Sequence, residues 1–391
     1  MFEIPENVKH IISTLESAGY EAFIVGGCVR DIIRGVIPKD WDITTSAIPE
    51  EVKALFSRTF DTGIKHGTVS ILLGKECFEV TTYRVDGEYL DNRRPETVTF
   101  ASEIELDLSR RDFTINAIAY SPERGFVDPF GGQRDIEKGI IKCVGEAENR
   151  FGEDALRMLR AIRFSAVLGF SVDEDALRAI AKLKVNLANI SAERIREELV
   201  KLICSSHPET LMLLKTAGLM YYTLREREYG GDLNIAISRL DRCRRDEPMR
   251  LALFFSWAGS DCENILRDLC FDNKTIKIVL LYVKYLPMKI QHCRYEIKKL
   301  LRIIPLENFE KLLNLKEIAQ SSLFLEEIRQ EALDIIAEKE CFTLRDLAVN
   351  GDDLAKVGIP KGKAMGERLE KLLDAVMHDP SINVKEKLLC M

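Results

Sequence analysis

Strand patterns stop near residue 147 of this 391-residue chain, and nearly every later segment carries its apolar residues at helical spacing. Before that point, short β-rich runs alternate with short helical ones. A chain of this length exceeds one small core, so two to four domains are expected. The fold class that follows is α+β at the amino end and all-α beyond it. The expected bounds are residues 1–146, 147–205, 206–320 and 321–391.

Within the mixed part, residues 5–18 place Val8, Ile11, Ile12 and Leu15 at helical spacing. Glu21–Val25 reads as a strand running into Gly26-Gly27, and Cys28–Arg34 as a helix ending at Gly35. A strand–Gly-Gly–helix junction lets backbone N–H groups and a helix amino end approach a phosphate. Asp40–Thr45 reads as the next strand. Side chains alternate along a strand, so Asp40 and Asp42 fall on one face. Two carboxylates so placed repel unless a cation sits between them. A pair of Mg²⁺ ions, which take hard oxygen ligands and bridge carboxylates to phosphates, is the usual answer. Alone, the pair reads as a charged edge or turn.

Further on, Thr68–Leu73 and Cys77–Tyr83 read as a hairpin around Gly74-Lys75-Glu76. Glu79 is a lone carboxylate among apolar and hydroxylic neighbours and a candidate third metal ligand. Residues 85–96 lack periodicity and are rich in charge, Gly and Pro, which reads as a long functional loop. Arg110–Ala119 reads as a helix with two basic residues at its start. In Asp154–Leu168, an apolar row (Leu156, Leu159, Ile162) advances in step with Asp154, Arg157, Arg160 and Arg163. Residues three apart are helix neighbours, so the apolar row can pack while the polar row faces a cleft.

Composition narrows the function classes. No apolar run is long enough to span a bilayer, and the amino end has neither a basic nor an apolar leader segment, so a cytoplasmic protein is expected. The ten cysteines are scattered singly without CxxC spacing and there are five histidines, which argues for reduced thiols and against zinc. The net charge of −7 means that any nucleic-acid contact needs a local basic patch. From Lys274 to Arg302 there are eight basic residues and one acid, with Tyr282, Tyr285 and Tyr295 among them. A solvated helix face is the plain alternative. Lys361 and Lys363 stand among glycines near the carboxyl end, where they suit phosphate contact or simple helix punctuation.

The motifs GGCVRD, KDWDITT, RRDFTINAIA and EDALRMLRAIRF, in this order, resemble the bacterial and eukaryotic class of tRNA nucleotidyltransferases, the CCA-adding enzymes. The resemblance covers Gly26 to Arg196, and more loosely the carboxyl-terminal segment from Leu344. It implies a polymerase β-like nucleotidyltransferase head at 1–146, a nucleobase-reading helical neck at 147–205, an RNA-binding helical body at 206–320 and a tRNA-binding helical tail at 321–391. It implies Asp40 and Asp42 as the metal-binding pair, with Glu79 as the further catalytic carboxylate and Mg²⁺ as cofactor. Gly27, Arg30 and Arg111 match triphosphate contacts. Asp154 and Arg157 match the pair that reads the incoming base, with Arg160 and Arg163 alongside. The loop at 85–96 corresponds to the one the family needs for the last adenosine. The implied activity is addition of C, C and A to a tRNA 3′ end from CTP and ATP without a nucleic-acid template; the implied partners are tRNA, ATP and CTP, with no membrane and a homodimer left open. An A-adding enzyme, a bacterial poly(A) polymerase and a non-catalytic RNA-binding protein on the same fold are the competing readings.

Overall fold

The computed structural model describes residues 3–87, 98–319 and 324–391. The chain divides into two compact units, residues 1–237 with 264–271, and residues 238–263 with 272–391.

The first unit opens with α1 (Glu6–Ser17), whose Val8, Ile11, Ile12 and Leu15 are buried as their spacing predicts. Next come β1 (Ala22–Val25), α2 (Gly27–Ile33), β2 (Asp42–Thr45), α3 (Pro49–Leu55), β3 (Thr59–Gly63), β4 (Thr68–Leu73) and β5 (Glu76–Thr82). A two-stranded ribbon of β6 (Arg84–Asp86) and β7 (Val98–Phe100) precedes α4 (Ile104–Ser109), β8 (Ala119–Ser121), β9 (Gly125–Val127), α5 (Gly132–Lys138) and β10 (Ile140–Ile141). Seven strands form one sheet in the order β3-β4-β5-β2-β1-β8-β9. Only β2 and β5 run parallel in it, with Asp42 opposite Glu79; the other neighbours are antiparallel. All four residues of β1 are buried, as the centre of a covered sheet requires.

Further elements of this unit are α6 (Ala147–Glu153), α7 (Leu156–Leu168), β11 (Ser171–Val172), α8 (Glu174–Leu183), α9 (Ala192–Ile203), α10 (Leu211–Thr216) and α11 (Met220–Thr223). Strands do not end completely at residue 147, because β11 pairs in parallel with β10. After α12 (Leu233–Arg242), the chain continues as α13 (Glu247–Phe255), α14 (Cys262–Asp268), α15 (Asn273–Tyr285), α16 (Arg294–Ile303), α17 (Leu306–Ala319), α18 (Leu325–Ala337), α19 (Gly351–Lys356), α20 (Lys363–His378) and α21 (Lys385–Cys390). No helix of the described residues is long and apolar enough to cross a membrane.

Three expectations need correction. The strand expected over Asp40–Thr45 begins at Asp42, and Asp40 lies in the bend before it. The first residues of the expected 85–96 loop belong to β6, while residues 88–96 lie outside the described residues. The expected helix over Arg110–Ala119 is an irregular segment with one 3₁₀ turn, Thr114–Asn116. The cause is competition for backbone N–H groups, which a helix must spend on its own carbonyls. Phe113 N donates to Asp112 Oδ1 at 2.9 Å, and Thr114 N donates to Lys142 O at 2.9 Å. Phe113 also bridges Cys143.

Half of the eight basic residues of the Lys274–Arg302 patch are not free charge. Arg294 pairs with Glu331, Glu338 and Glu340, Arg302 with Glu370, and Lys299 with Glu296. Lys298 is buried, with Nζ on Glu340 and donating to Met377 O at 3.2 Å. These bonds tie α16 to α18 and α20.

Candidate active site

The junction after β1 is built around Gly26, whose φ of +80° suits a residue without Cβ. A Cβ there would also lie 3.0 Å from Arg111 Nη1, so the glycine lets that guanidinium lie against the start of α2. One turn into α2, Arg30 donates from Nε and Nη2 to Asp31 Oδ1 at 3.0 and 2.8 Å, and from Nη1 to Asn116 Oδ1 at 2.8 Å. Gly27, Arg30 and Arg111 are thus gathered at one end of α2.

The carboxylates stand nearby. Burial pushes the Asp42 carboxyl above its usual range, Arg111 pulls it down, and Asp40 pushes it up again. Asp40, in the bend before β2, and Asp42, at the start of that strand, are near enough for this repulsion to be felt. They line a cavity of about 710 Å³ with Lys39, Trp41, Cys77 and Glu79. Glu79 is exposed and opposite Asp42 in the sheet, yet no three His, Cys, Asp or Glu side chains converge as a metal cluster among the described residues. The donor set suits a hard divalent cation all the same. Two carboxylates short of positive charge leave coordination positions for phosphate oxygens and water, the pattern by which Mg²⁺-like ions bind.

Arg111 is aimed by Asp107, a residue the sequence reading passed over. Asp107 is fully buried in α4 and accepts from Arg110 Nε and Nη2 at 3.0 and 2.7 Å and from Arg111 Nη2 at 3.1 Å. Burial would raise its pKa, but Arg111 and Arg110 together hold it below the ordinary carboxylate range. Arg111 Nε is buried and has no protein partner, leaving a donor for a ligand. The signal for Asp107 was its i, i+4 spacing to Arg111.

The arginine row of α7 does not face an open cleft along its whole length. Arg157 is buried, donating from Nη1 to Glu153 Oε2 and to Arg150 O at 3.2 Å, and from Nη2 to Arg110 O at 3.1 Å. Arg160 donates from Nε and Nη2 to Asp112 Oδ2 at 2.8 and 2.6 Å. Burial would raise the Asp112 pKa, but Arg160 and further donors bring it down to about 2. Arg163 is buried on Glu198, Nε to Oε2 at 2.7 Å. The Phe164 ring collects three guanidinium groups, Arg163 at 3.5 Å, Arg160 at 5.4 Å and Arg30 at 5.6 Å from its centroid, and meets the edge of Phe113.

Asp154 lies just before α7, where Oδ1 accepts from Leu156 N at 3.1 Å. Arg194 of α9 clasps it, Nη2 to Oδ2 at 2.7 Å and Nη1 to Oδ1 at 3.3 Å. No local pattern announces Arg194, which stands 40 residues from Asp154. The two residues before and within the first turn of α7 are therefore each held by a separate partner, Asp154 by Arg194 and Arg157 by Glu153.

Comparison with known proteins finds family matches along most of the chain. Residues 22–142 match the Poly A polymerase head domain, residues 169–229 the probable RNA and SrmB-binding site of polymerase A, and residues 247–391 tRNA nucleotidyltransferase domain 2. The CCA-adding enzyme of Leuconostoc mesenteroides is 37% identical over 98% of this chain and 94% of its own length. That of Lactiplantibacillus plantarum is 37% identical over 97% of the chain and 94% of its own. The chain belongs to the CCA-adding tRNA nucleotidyltransferase family. A solved structure of this family, the Bacillus stearothermophilus enzyme in complex with CTP, superposes with a TM-score of 0.89 at 34% identity, covering 100% of this chain and 97% of that one. The α+β head and the helical remainder are those of CCA-adding nucleotidyltransferases. Use of a divalent metal is general in the family, and the Asp40–Asp42 donor set fits it.

Proposed function

We propose that this chain adds C, C and A to the 3′ end of tRNA from CTP and ATP, without a nucleic-acid template, in the cytoplasm. Identity to CCA-adding enzymes along nearly the whole chain is the observation that carries the reading. The ten free cysteines suit a reducing compartment.

In this reading Asp40 and Asp42 would hold two divalent cations, proposed as Mg²⁺, and Glu79 stands beside them. When bound, such an ion supplies charge stabilisation at the reacting phosphate and lowers the pKa of the attacking hydroxyl. Phosphoryl-group transfer depends chiefly on positioning and on electrostatic stabilisation of developing charge. Arg30 and Arg111 hold the triphosphate beside Gly26 and Gly27, with the partnerless Nε of Arg111 donating to a phosphate oxygen. Asp107 keeps Arg111 there at no cost in reorganisation when the substrate arrives.

Base choice follows from donors and acceptors. Asp154, ionised, only accepts, so it favours the exocyclic amino group of cytosine or adenine. Arg157 only donates, and both bases offer a ring nitrogen beside that amino group. Uracil and guanine bring a carbonyl to the carboxylate instead. Arg160 and Arg163 support this edge through Asp112 and Glu198. Discrimination of about 1–3 kcal/mol per bidentate contact is the scale expected for such edge reading.

The test is incorporation into tRNA ending at its discriminator base. CTP alone is expected to add two C residues, and A is expected only when ATP is also present. No C with CTP would remove this reading. A alone, or a run of A, would replace it with the A-adding enzyme or the poly(A) polymerase.

A further inference from the structure

A cavity of about 300 Å³ opens on the first unit beside the 3₁₀ turn Lys184–Asn189, the end of α10 and α11. Its walls carry Lys184, Lys215, Tyr221, Tyr222 and Tyr229, with Glu228 at the same opening. None of these residues takes part in the nucleotidyl-transfer site. Among the described residues neither Lys184 nor Lys215 is in an ion pair. Tyr221 is 38% exposed, and the Tyr222 ring meets it edge-on, with centroids 5.3 Å apart and planes at 88°.

The backbone is shaped to this cavity. Gly218, with φ +75°, ends α10, and a Cβ on it would lie 2.7 Å from Lys184 Nζ and 3.0 Å from Lys184 Cδ. The missing side chain is what lets Lys184 lie across the helix end. After α11 the chain reverses through two successive left-handed residues, Arg225 at φ 56° and Glu226 at φ 63°. Glu226 N donates to Tyr221 O at 2.9 Å, and Arg225 Nη1 donates to Ile190 O at 3.1 Å, which fixes the reversal and returns Glu228 and Tyr229 to the cavity. Non-glycine residues in this conformation are costly and persist where the surroundings hold them.

Two ammonium groups and one carboxylate leave one net positive charge. That matches a single phosphodiester and falls well short of a free nucleoside triphosphate. The exposed Tyr221 ring beside the lysines offers a stacking platform for a base whose phosphate is neutralised at its side, the way single-stranded nucleic acid is held without sequence readout. An acidic peptide would satisfy the lysines and leave the ring faces unused. We propose that this cavity holds one unpaired nucleotide of the RNA substrate, its base on Tyr221 and its phosphate between Lys184 and Lys215. The proposal rests on the reading that tRNA is the substrate, and it gives the enzyme a grip on RNA separate from the end being extended.

Full-length Lys184→Gln/Lys215→Gln and Tyr221→Leu proteins test it, with Tyr221→Phe as the conservative variant and circular dichroism to match their folding. Binding of tRNA lacking its CCA end is read by fluorescence anisotropy over a salt series. The lysine variant is expected to lose about five- to tenfold in affinity and to lower the salt slope by roughly one, as loss of one phosphate contact does. Tyr221→Leu is expected to lose about tenfold at an unchanged slope, and Tyr221→Phe to bind as the wild type. In steady state, KM for tRNA should rise while KM for CTP and kcat at saturating tRNA hold. Unchanged tRNA affinity in both loss variants overturns the proposal. So does a lysine effect without a Tyr221→Leu effect, which would mean phosphate contact with no base pocket, or an equal loss in Tyr221→Phe. The binding readout involves no chemistry, so a protein that binds tRNA but adds no C would refute the proposed activity and leave the cavity to be judged on its own.

Discussion

Single side chains carry sharply different kinds of work in the amino-terminal unit. Asp42 is raised by burial and by Asp40, the mark of a carboxylate placed where a cation belongs. Asp42→Asn keeps the shape and removes the charge, so nucleotide incorporation is expected to fall by at least about 10³-fold, with tRNA affinity within a few-fold. Incorporation near the wild-type rate would end the metal assignment. Asp112 lies at the other extreme. Its folded pKa of about 2 is below the ordinary aspartate value of 3.8, so its pairing stabilises the fold above about pH 4, and that stability is lost as pH falls towards 2. The shift is equivalent to about 2 kcal/mol. Asp112→Asn is therefore expected to be about 2 kcal/mol less stable at pH 6 in urea unfolding, and to lose less than the wild type between pH 6 and pH 3. Parallel pH profiles for the two proteins would show that Arg160 gives Asp112 no such stabilisation.

At the scale of elements, α2, α7 and the segment 110–119 meet at Phe164, where Arg30 shares a ring with Arg160 and Arg163. A guanidinium over an aromatic face gains about 0.5–2 kcal/mol, and the ring also limits where it can point. Phe164→Leu keeps an apolar side chain but removes that face. KM for both CTP and ATP is expected to rise about threefold to tenfold, with metal dependence unchanged. Unchanged KM values in a folded variant would mean that Arg30 is positioned by Asp31 and Asn116 alone. The same elements show what a sequence discloses. Helices such as α1 and α7 were legible because their apolar residues repeat locally, and β1 because it is apolar throughout. Segment 110–119 has helical composition, but its N–H groups go to Asp112 and Lys142, and no local pattern records a partner 28 residues on. The same holds for Arg194 on Asp154 and Glu198 on Arg163: both ends are visible as charged residues, but not their pairing. The base-reading candidates were therefore readable as residue types, while the partners that hold them were readable only in three dimensions.

Over the whole molecule, the balance of −7 means that RNA contact depends on local groups of cations, and structure decides which of them are unpaired. The run from Lys274 to Arg302 looks uniform in sequence, yet it contains two populations. Arg294, Lys298, Lys299 and Arg302 are engaged with carboxylates of their own unit. Among the described residues, Lys274, Lys277 and Lys284 on α15, and Lys289 after it, are in no ion pair. Charges already neutralised within the fold release few counterions when RNA arrives, whereas unpaired ones release theirs and set the salt dependence. The two groups should therefore separate under substitution. Lys298→Met leaves Glu340 with Arg294 alone in a part-buried place, and is expected to cost about 3 kcal/mol of stability while tRNA affinity at low temperature holds. Lys274→Gln/Lys277→Gln is expected to leave the unfolding midpoint within about a degree and to weaken tRNA binding several-fold, with a shallower salt slope. Urea unfolding and a salt series of tRNA binding on both proteins decide the matter. A loss of affinity in Lys298→Met with unchanged stability would return the buried lysine to the RNA surface. No change in either quantity for the double variant would move the RNA path off the amino-terminal half of α15.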